Sequence, residues 1–158
     1  MSVRADLVAC WAYRVDDAGE LEILLIHRAP GRIYPGLWQC VTGGLEPGET
    51  MVGGALRELA EETGLGPREI EWFGETDIIN WFHEASRDEV LCEVVFAARV
   101  RRGARVTLSH EHDDLRWCSP DEAHELVVWP SYHRAIDQLA WLVAHPEKAR
   151  AFRLPDPT

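Results

Sequence analysis

The chain has 158 residues, 46% of them apolar, enough for the core of one domain and too few for several. Its 27 acidic against 16 basic side chains give a formal charge of -11, which repels a nucleic-acid backbone and speaks against duplex binding. The four cysteines, Cys10, Cys40, Cys92 and Cys118, form neither a close pair nor the spaced quartet of a structural zinc site, and read as reduced, buried thiols.

In chain order, Arg4 and Asp6 precede a short apolar run without signal-peptide pattern, and no later run is long enough to span a bilayer, so a soluble cytoplasmic protein is expected. Leu7 to Tyr13 and Leu21 to Ile26 read as strands of a hairpin, joined by the turn residues Asp16, Asp17, Ala18 and Gly19. A loop holding Pro30, Gly31, Pro35 and Gly36 leads into a short strand from Trp38 to Thr42 and then a glycine-rich turn of Gly43, Gly44 and Gly48. From Thr50 to Thr63 the apolar period turns helical, with Val52, Ala55, Leu56 and Leu59 on one side and Gly64 as terminator. Glu71 to Ile79 and Val90 to Val100 read as strands, the second with Val94, Phe96 and Ala98 alternating against less buried positions. Arg101, Arg102 and Arg105 around Gly103 read as a solvated hairpin turn. Leu115 to Cys118 reads as a short strand, Ser119 and Pro120 as the cap and first position of a helix to Val127, and Tyr132 to Ala144 as a longer amphipathic helix.

Strands interleaved with helices predict an α/β fold with a mixed sheet covered on two faces, in one domain over residues 1–152. Residues 153–158, with Pro155 and Pro157, are expected to form a loose tail. The apolar Trp141, Leu142 and Val143 of the last helix leave room for a homodimer.

Glu58, Glu61 and Glu62 stand three and four residues apart, so at roughly 100° per residue they share one side of the predicted helix. Glutamate-rich helix faces are as a rule simply solvated. Without a cation, like charges at this spacing repel by a few tenths of a kcal/mol per pair, and a bound metal reverses the sign. Oxygen-only ligands suit magnesium, with manganese as the alternative, and a cation held this way receives an anionic phosphate despite the acidic net charge. Arg57, next to Glu58, has a rigid fork able to orient a carboxylate such as Glu49, and Gly43 and Gly44 let the backbone approach a ligand, with a free carbonyl to complete its shell.

The whole string from Gly43 through Glu49 and Arg57-Glu58-Leu59-Ala60-Glu61-Glu62-Thr63-Gly64-Leu65 resembles the Nudix box at all nine positions that the signature fixes. The resemblance implies an α/β/α sandwich with a central mixed sheet and hydrolysis of a nucleoside diphosphate linked to another moiety. It makes Glu58, Glu61 and Glu62 metal ligands, Gly43 a carbonyl ligand, and Arg57 and Glu49 supporting residues. Looser likeness to the dihydroneopterin triphosphate and dATP pyrophosphohydrolase group appears in Trp38-Gln39-Cys40-Val41-Thr42-Gly43, in Glu111-His112 with Trp117, and in Trp129 before a helix containing Ala135-Ile136. The expected substrate is therefore a nucleoside or pterin triphosphate, cleaved to a monophosphate and pyrophosphate.

Glu111, where the related enzymes place a glutamate, is the candidate base or further ligand, with Glu61 and Glu62 as rival bases. His110 and His112 beside it read as ordinary loop histidines. Arg28 is a candidate phosphate contact, against a surface ion pair, and Trp38 a candidate stacking platform, against core packing. Three rivals stand beside hydrolysis of a triphosphate. A dinucleoside polyphosphate or sugar-nucleotide hydrolase shares the box; an isomerase of the isopentenyl diphosphate type departs from it; a non-catalytic nucleotide-sensing module loses the acids that are intact here.

Overall fold

The computed structural model describes residues 4–157. Its strands are β1 (Leu7–Val15), β2 (Leu21–Arg28), β3 (Trp38–Gln39), β4 (Val41–Gly44), β5 (Ile70–Glu84), β6 (Glu89–Val100) and β7 (His112–Cys118), and its helices α1 (Met51–Thr63), α2 (Pro120–Leu126), α3 (Pro130–Ala144) and α4 (Pro146–Ala149). The strands form one mixed sheet with the central order β3-β2-β1-β6-β5, in which β4 also pairs with β1 and β7 with β2. Only β1 and β6 run parallel; the other ladders are antiparallel.

The period of two in β1 divides the core into two layers. Ala9, Trp11 and Tyr13 face α2 and α3, where Trp11 meets Tyr132 edge-on at 5.0 Å between ring centres, while Val8, Cys10 and Ala12 face α1 with Ala55 and Leu59. Helices thus cover both faces, giving the α/β/α sandwich expected from the sequence. The strand β1 pairs with β2 only through Tyr13–Val15, and its earlier half, Leu7–Cys10, pairs instead with β4. This parting of β1 from β2 opens the end of the sheet at which β4 hands the chain to α1.

Several local expectations change. The central part of β6 is buried on both faces because it lies between β1 and β5 under two helical layers, so Val95 and Ala97 are covered as fully as Phe96 and Ala98. Arg101 to Ala104 do make a turn, but β6 pairs with β1 and β5 and β7 with β2, so it opens a crossing loop and not a hairpin. The start of the expected loose tail is held: Arg153 bridges Gly74, and Leu154 N donates to Phe73 O at 2.9 Å. The apolar residues that left room for a dimer are used within the chain, Leu142 being buried and Trp141 packing edge-on against Phe152. All four cysteines are free and buried, and burial pushes the Cys10 thiol up to about 12. Among the described residues no helix is long and apolar enough to cross a membrane.

Candidate active site

The helix α1 begins and ends where its sequence dictates. Thr50 caps it, its hydroxyl accepting from Gly53 N at 3.0 Å, and Gly64 ends it in the left-handed conformation at φ 72. Burial of Ala55 and Leu59 against the sheet fixes the rotation of the helix, which sets its acids at graded depths: Glu62 is 4% exposed, Glu58 is half-buried and Glu61 is exposed. The turn before α1 is equally tight. A Cβ on Gly43 would stand 2.2 Å from Glu58 Cδ, so the Glu58 carboxylate lies directly on the Gly43 backbone.

Arg57 ties this turn together. Its Nε and Nη2 meet Glu49 Oε1 and Oε2 at 2.8 and 3.0 Å, the paired geometry anticipated from the sequence, while Nη2 also donates to Gly44 O at 2.9 Å. Its Nη1 donates to Glu58 Oε1 at 2.7 Å and Glu61 Oε2 at 3.2 Å. The Arg57 hydrogen bonds, helped by Glu46 N, hold the Glu49 carboxyl down at about 2.

At Glu62 and Glu58 burial outweighs the opposing arginines. Burial, then the charges of Glu58 and Glu111, push Glu62 up to about 8, with Arg28 opposing. Burial likewise raises Glu58, against the opposing Arg57. Glu62 Oε2 is buried without a hydrogen-bond partner. A carboxylate oxygen facing other carboxylates and no donor is an unfavourable arrangement that a hard divalent cation relieves, and the all-oxygen donor set fits magnesium or manganese. Among the described residues no three potential ligands are already drawn into a finished cage, and Arg57 pairs with Glu58 and Glu61.

Glu111 reaches these acids through backbone contacts that the sequence does not show. Thr107 N and Ser109 N donate to Thr63 O and Glu62 O at 2.8 and 3.2 Å, pinning the crossing loop to the end of α1, and Ala29 N donates to Glu111 O at 3.0 Å. A register shift between His27 and Arg28 opposite β7 then sets Arg28 beside Glu111, with Nη1 3.6 Å from Oε2. Arg32, which the sequence did not single out, is 3.7 Å from the other Glu111 oxygen. Both arginines are thus available to an anion at the acidic site.

His112 corrects a sequence reading: it is a buried residue of β7, not a loop histidine. Its Nε2 lies 2.9 Å from Gln39 Nε2, its Nδ1 has no partner, and burial with Arg28 nearby lowers it to about 4. Only pairing of Arg28 with His112 across the sheet buries it, and that pairing has no local signal. His110 is exposed as expected. Trp38 turns to the face opposite Gln39, where it is half-buried against the α2 and α3 layer, with His27 at 4.8 Å and Arg116 over its ring. The structure therefore brings together Gly43, Arg57, Glu58, Glu61, Glu62, Glu111 and Arg28, and holds Trp38 apart from them.

Known proteins resemble the chain in sequence and in fold. The chain is 36% identical over 122 residues to an octanoyltransferase of Myxococcus xanthus, a match covering 74% of this chain and 32% of that protein, so the chain spans about a third of that relative's length. It is 30% identical over 112 residues to the CTP pyrophosphohydrolase of Escherichia coli, covering 70% of this chain and 76% of that one. The solved dihydroneopterin triphosphate pyrophosphohydrolase of E. coli shares the fold at a TM-score of 0.69, with 22% identity over 86% of this chain and 97% of that one. The model of the NUDIX domain matches residues 5–141, which contain both sandwich layers and every acid of the site, and the chain belongs to the Nudix family.

Proposed function

We propose that this protein is a metal-dependent pyrophosphohydrolase that cleaves a phosphoanhydride bond of a nucleoside triphosphate-like substrate, a dNTP such as dATP or a pterin triphosphate, to a monophosphate and pyrophosphate. The observation that carries the reading is the buried, unpartnered Glu62 oxygen among Glu58, Glu61 and Glu111, an arrangement suited to a cation. Similarity to the CTP pyrophosphohydrolase supports the substrate class.

Gly43 O, Glu58, Glu61 and Glu62 are the groups that would hold magnesium or manganese. Such an ion, when bound, neutralises charge on the diphosphate and makes a water more acidic. Arg57 keeps Glu58 and Glu61 turned towards the Gly43 turn through its two bonds from Nη1, and its anchorage on Glu49 prevents the whole group from rotating. Arg28 and Arg32 face Glu111 across 3.6 and 3.7 Å, gaps long enough for a phosphate oxygen to draw their donors away. Glu111 is then released as the acceptor for the proton of the attacking water.

Chromatography of products after incubation with magnesium and dATP, other dNTPs, dihydroneopterin triphosphate or a dinucleoside tetraphosphate tests the reaction. A triphosphate is expected to yield its monophosphate and pyrophosphate. Cleavage of the dinucleotide alone overturns the substrate class, and no cleavage at all overturns the enzymatic reading. Glu111→Gln is expected to lower kcat at least a hundredfold, in the range for loss of a general base, with KM changed little. A kcat equal to the wild type's returns the base role to Glu61 or Glu62.

A further inference from the structure

A second buried polar group, on the opposite face of the sheet from the acids, ends on the strand that carries Gly43. Arg134 on α3 donates from Nη2 to Asn80 Oδ1 on β5 at 3.1 Å, and Asn80 Nδ2 donates to Glu93 Oε1 on β6 at 3.0 Å. Thr42 Oγ1 on β4 completes the chain, 3.0 Å from Glu93 Oε2. Asn80 and Glu93 are each 8% exposed. Both oxygens of a buried carboxylate are thus met by neutral donors, with the nearest arginine one residue removed. For stability alone such a group is a poor choice, since apolar side chains of similar volume commonly serve as well or better. What it adds is direction, and the direction is that of Thr42.

The strand β4 needs such fixing. It has four residues and ladders with β1 alone, and Gly43 has no side chain to anchor it. The Thr42 hydroxyl lies within 3.2 Å of Val8 O as well, and Val8 is the residue registered opposite Gly43. Just before the strand, Tyr132 of α3 sits against the Cys40 thiol. Cys40 and Thr42, on the side facing away from α1, are therefore both held by polar contacts reaching to α3, whereas Val41 packs in the apolar layer on the other face.

We propose that Glu93 and Thr42 are positioning residues for Gly43, holding the backbone of β4 against the Glu58 carboxylate so that the Gly43 carbonyl is kept in place as a ligand for a divalent cation. The proposal rests on the metal-dependent reading above. Groups that orient a ligand from behind are worth about 10- to 100-fold in metal affinity. The chain from Arg134 to Thr42 is such a support, delivered through a side-chain hydroxyl to the neighbouring carbonyl.

The test is Mn2+ affinity of the substrate-free protein, measured by electron paramagnetic resonance of the free ion, for the wild type, Thr42→Val, Thr42→Ser and Glu93→Gln, each with its melting curve. Thr42→Val keeps the shape and removes the hydroxyl; a loss of about tenfold in affinity is expected. Thr42→Ser restores the hydroxyl and is expected to restore affinity, while Glu93→Gln falls with the valine variant. Wild-type affinity in folded Thr42→Val and Glu93→Gln, with only the melting temperatures lowered, assigns the network to stability and overturns the proposal while leaving the metal reading in place. Failure of the wild-type protein to bind Mn2+ overturns both. Should the valine variant not fold, Glu93→Gln against the wild type decides by the same two outcomes.

Discussion

Glu62→Gln is expected to lower turnover about a thousandfold, within the range for losing a catalytic carboxylate, while making the metal-free protein more stable at pH 8 than the wild type. Both effects come from one cause. The Glu62 carboxyl is pushed from 4.5 to about 8 by burial and by its acidic neighbours, so the folded chain holds a proton over that window that the unfolded chain releases. Stability from the neutral form is complete below about pH 4.5, declines as pH rises, and is lost above about 8. Melting temperatures of metal-free wild type are expected to fall from about pH 6.5 to 8, since below 6.5 the buried His112, lowered to about 4, contributes the opposite slope. The glutamine variant, which keeps the shape without the charge, is expected to lose the fall between pH 6.5 and 8 apart from what Glu58, also raised, leaves, and to keep the opposite slope of His112 below 6.5. Glu49, held at about 2, titrates outside the window and does not confuse it. Full turnover together with an unchanged melting slope would show that Glu62 neither carries the proton nor serves the reaction.

Gly43→Ala is expected to cost about a hundredfold in turnover, whereas Gly44→Ala leaves it close to wild type. Adjacent glycines make a sharp comparison here. A Cβ on Gly43 would lie 2.2 Å from Glu58 Cδ and 2.3 and 2.6 Å from its oxygens, while one on Gly44 meets nothing within 4 Å. Neither glycine has a positive φ, so backbone strain does not separate them. The clash at Gly43 falls on the far end of a flexible side chain, so the fold survives by swinging Glu58 out. That movement breaks the 2.7 Å bond to Arg57 and takes the carboxylate away from the Gly43 carbonyl. Overpacking of this kind costs about 1–3 kcal/mol in stability, to be read from denaturant melts beside the kinetics. Equal turnover in the two alanine variants would remove Gly43 from the site.

The contrast between the acids and the rest of the site follows the distance over which their contacts are made. Glu58, Glu61 and Glu62 share one helix, and the cap at Thr50 and stop at Gly64 are local chemistry, so their common side was legible from spacing alone. The Arg57 fork on Glu49 spans eight residues and was equally within reach of a sequence argument. His112 and Glu93 were not. Each is buried by strands paired far away in the chain, and a histidine beside a polar loop or a glutamate within an apolar run does not announce its partner. The two-sided burial of β6 was missed for the same reason, because the sheet position of a strand is decided by other strands.

The family, the helix with its acids and the glycine beside them were legible without any structure, since all of these rest on patterns within about 25 neighbouring residues. Contacts between distant parts of the chain settle which acid is buried deepest, that Arg28 and Arg32 face Glu111 near it, that Trp38 turns to the other face, and that β4 is braced from α3. Those outcomes depend on where β1 parts from β2 and how the crossing loop docks on α1. Both are set by long-range packing and register, which no local run of residues encodes.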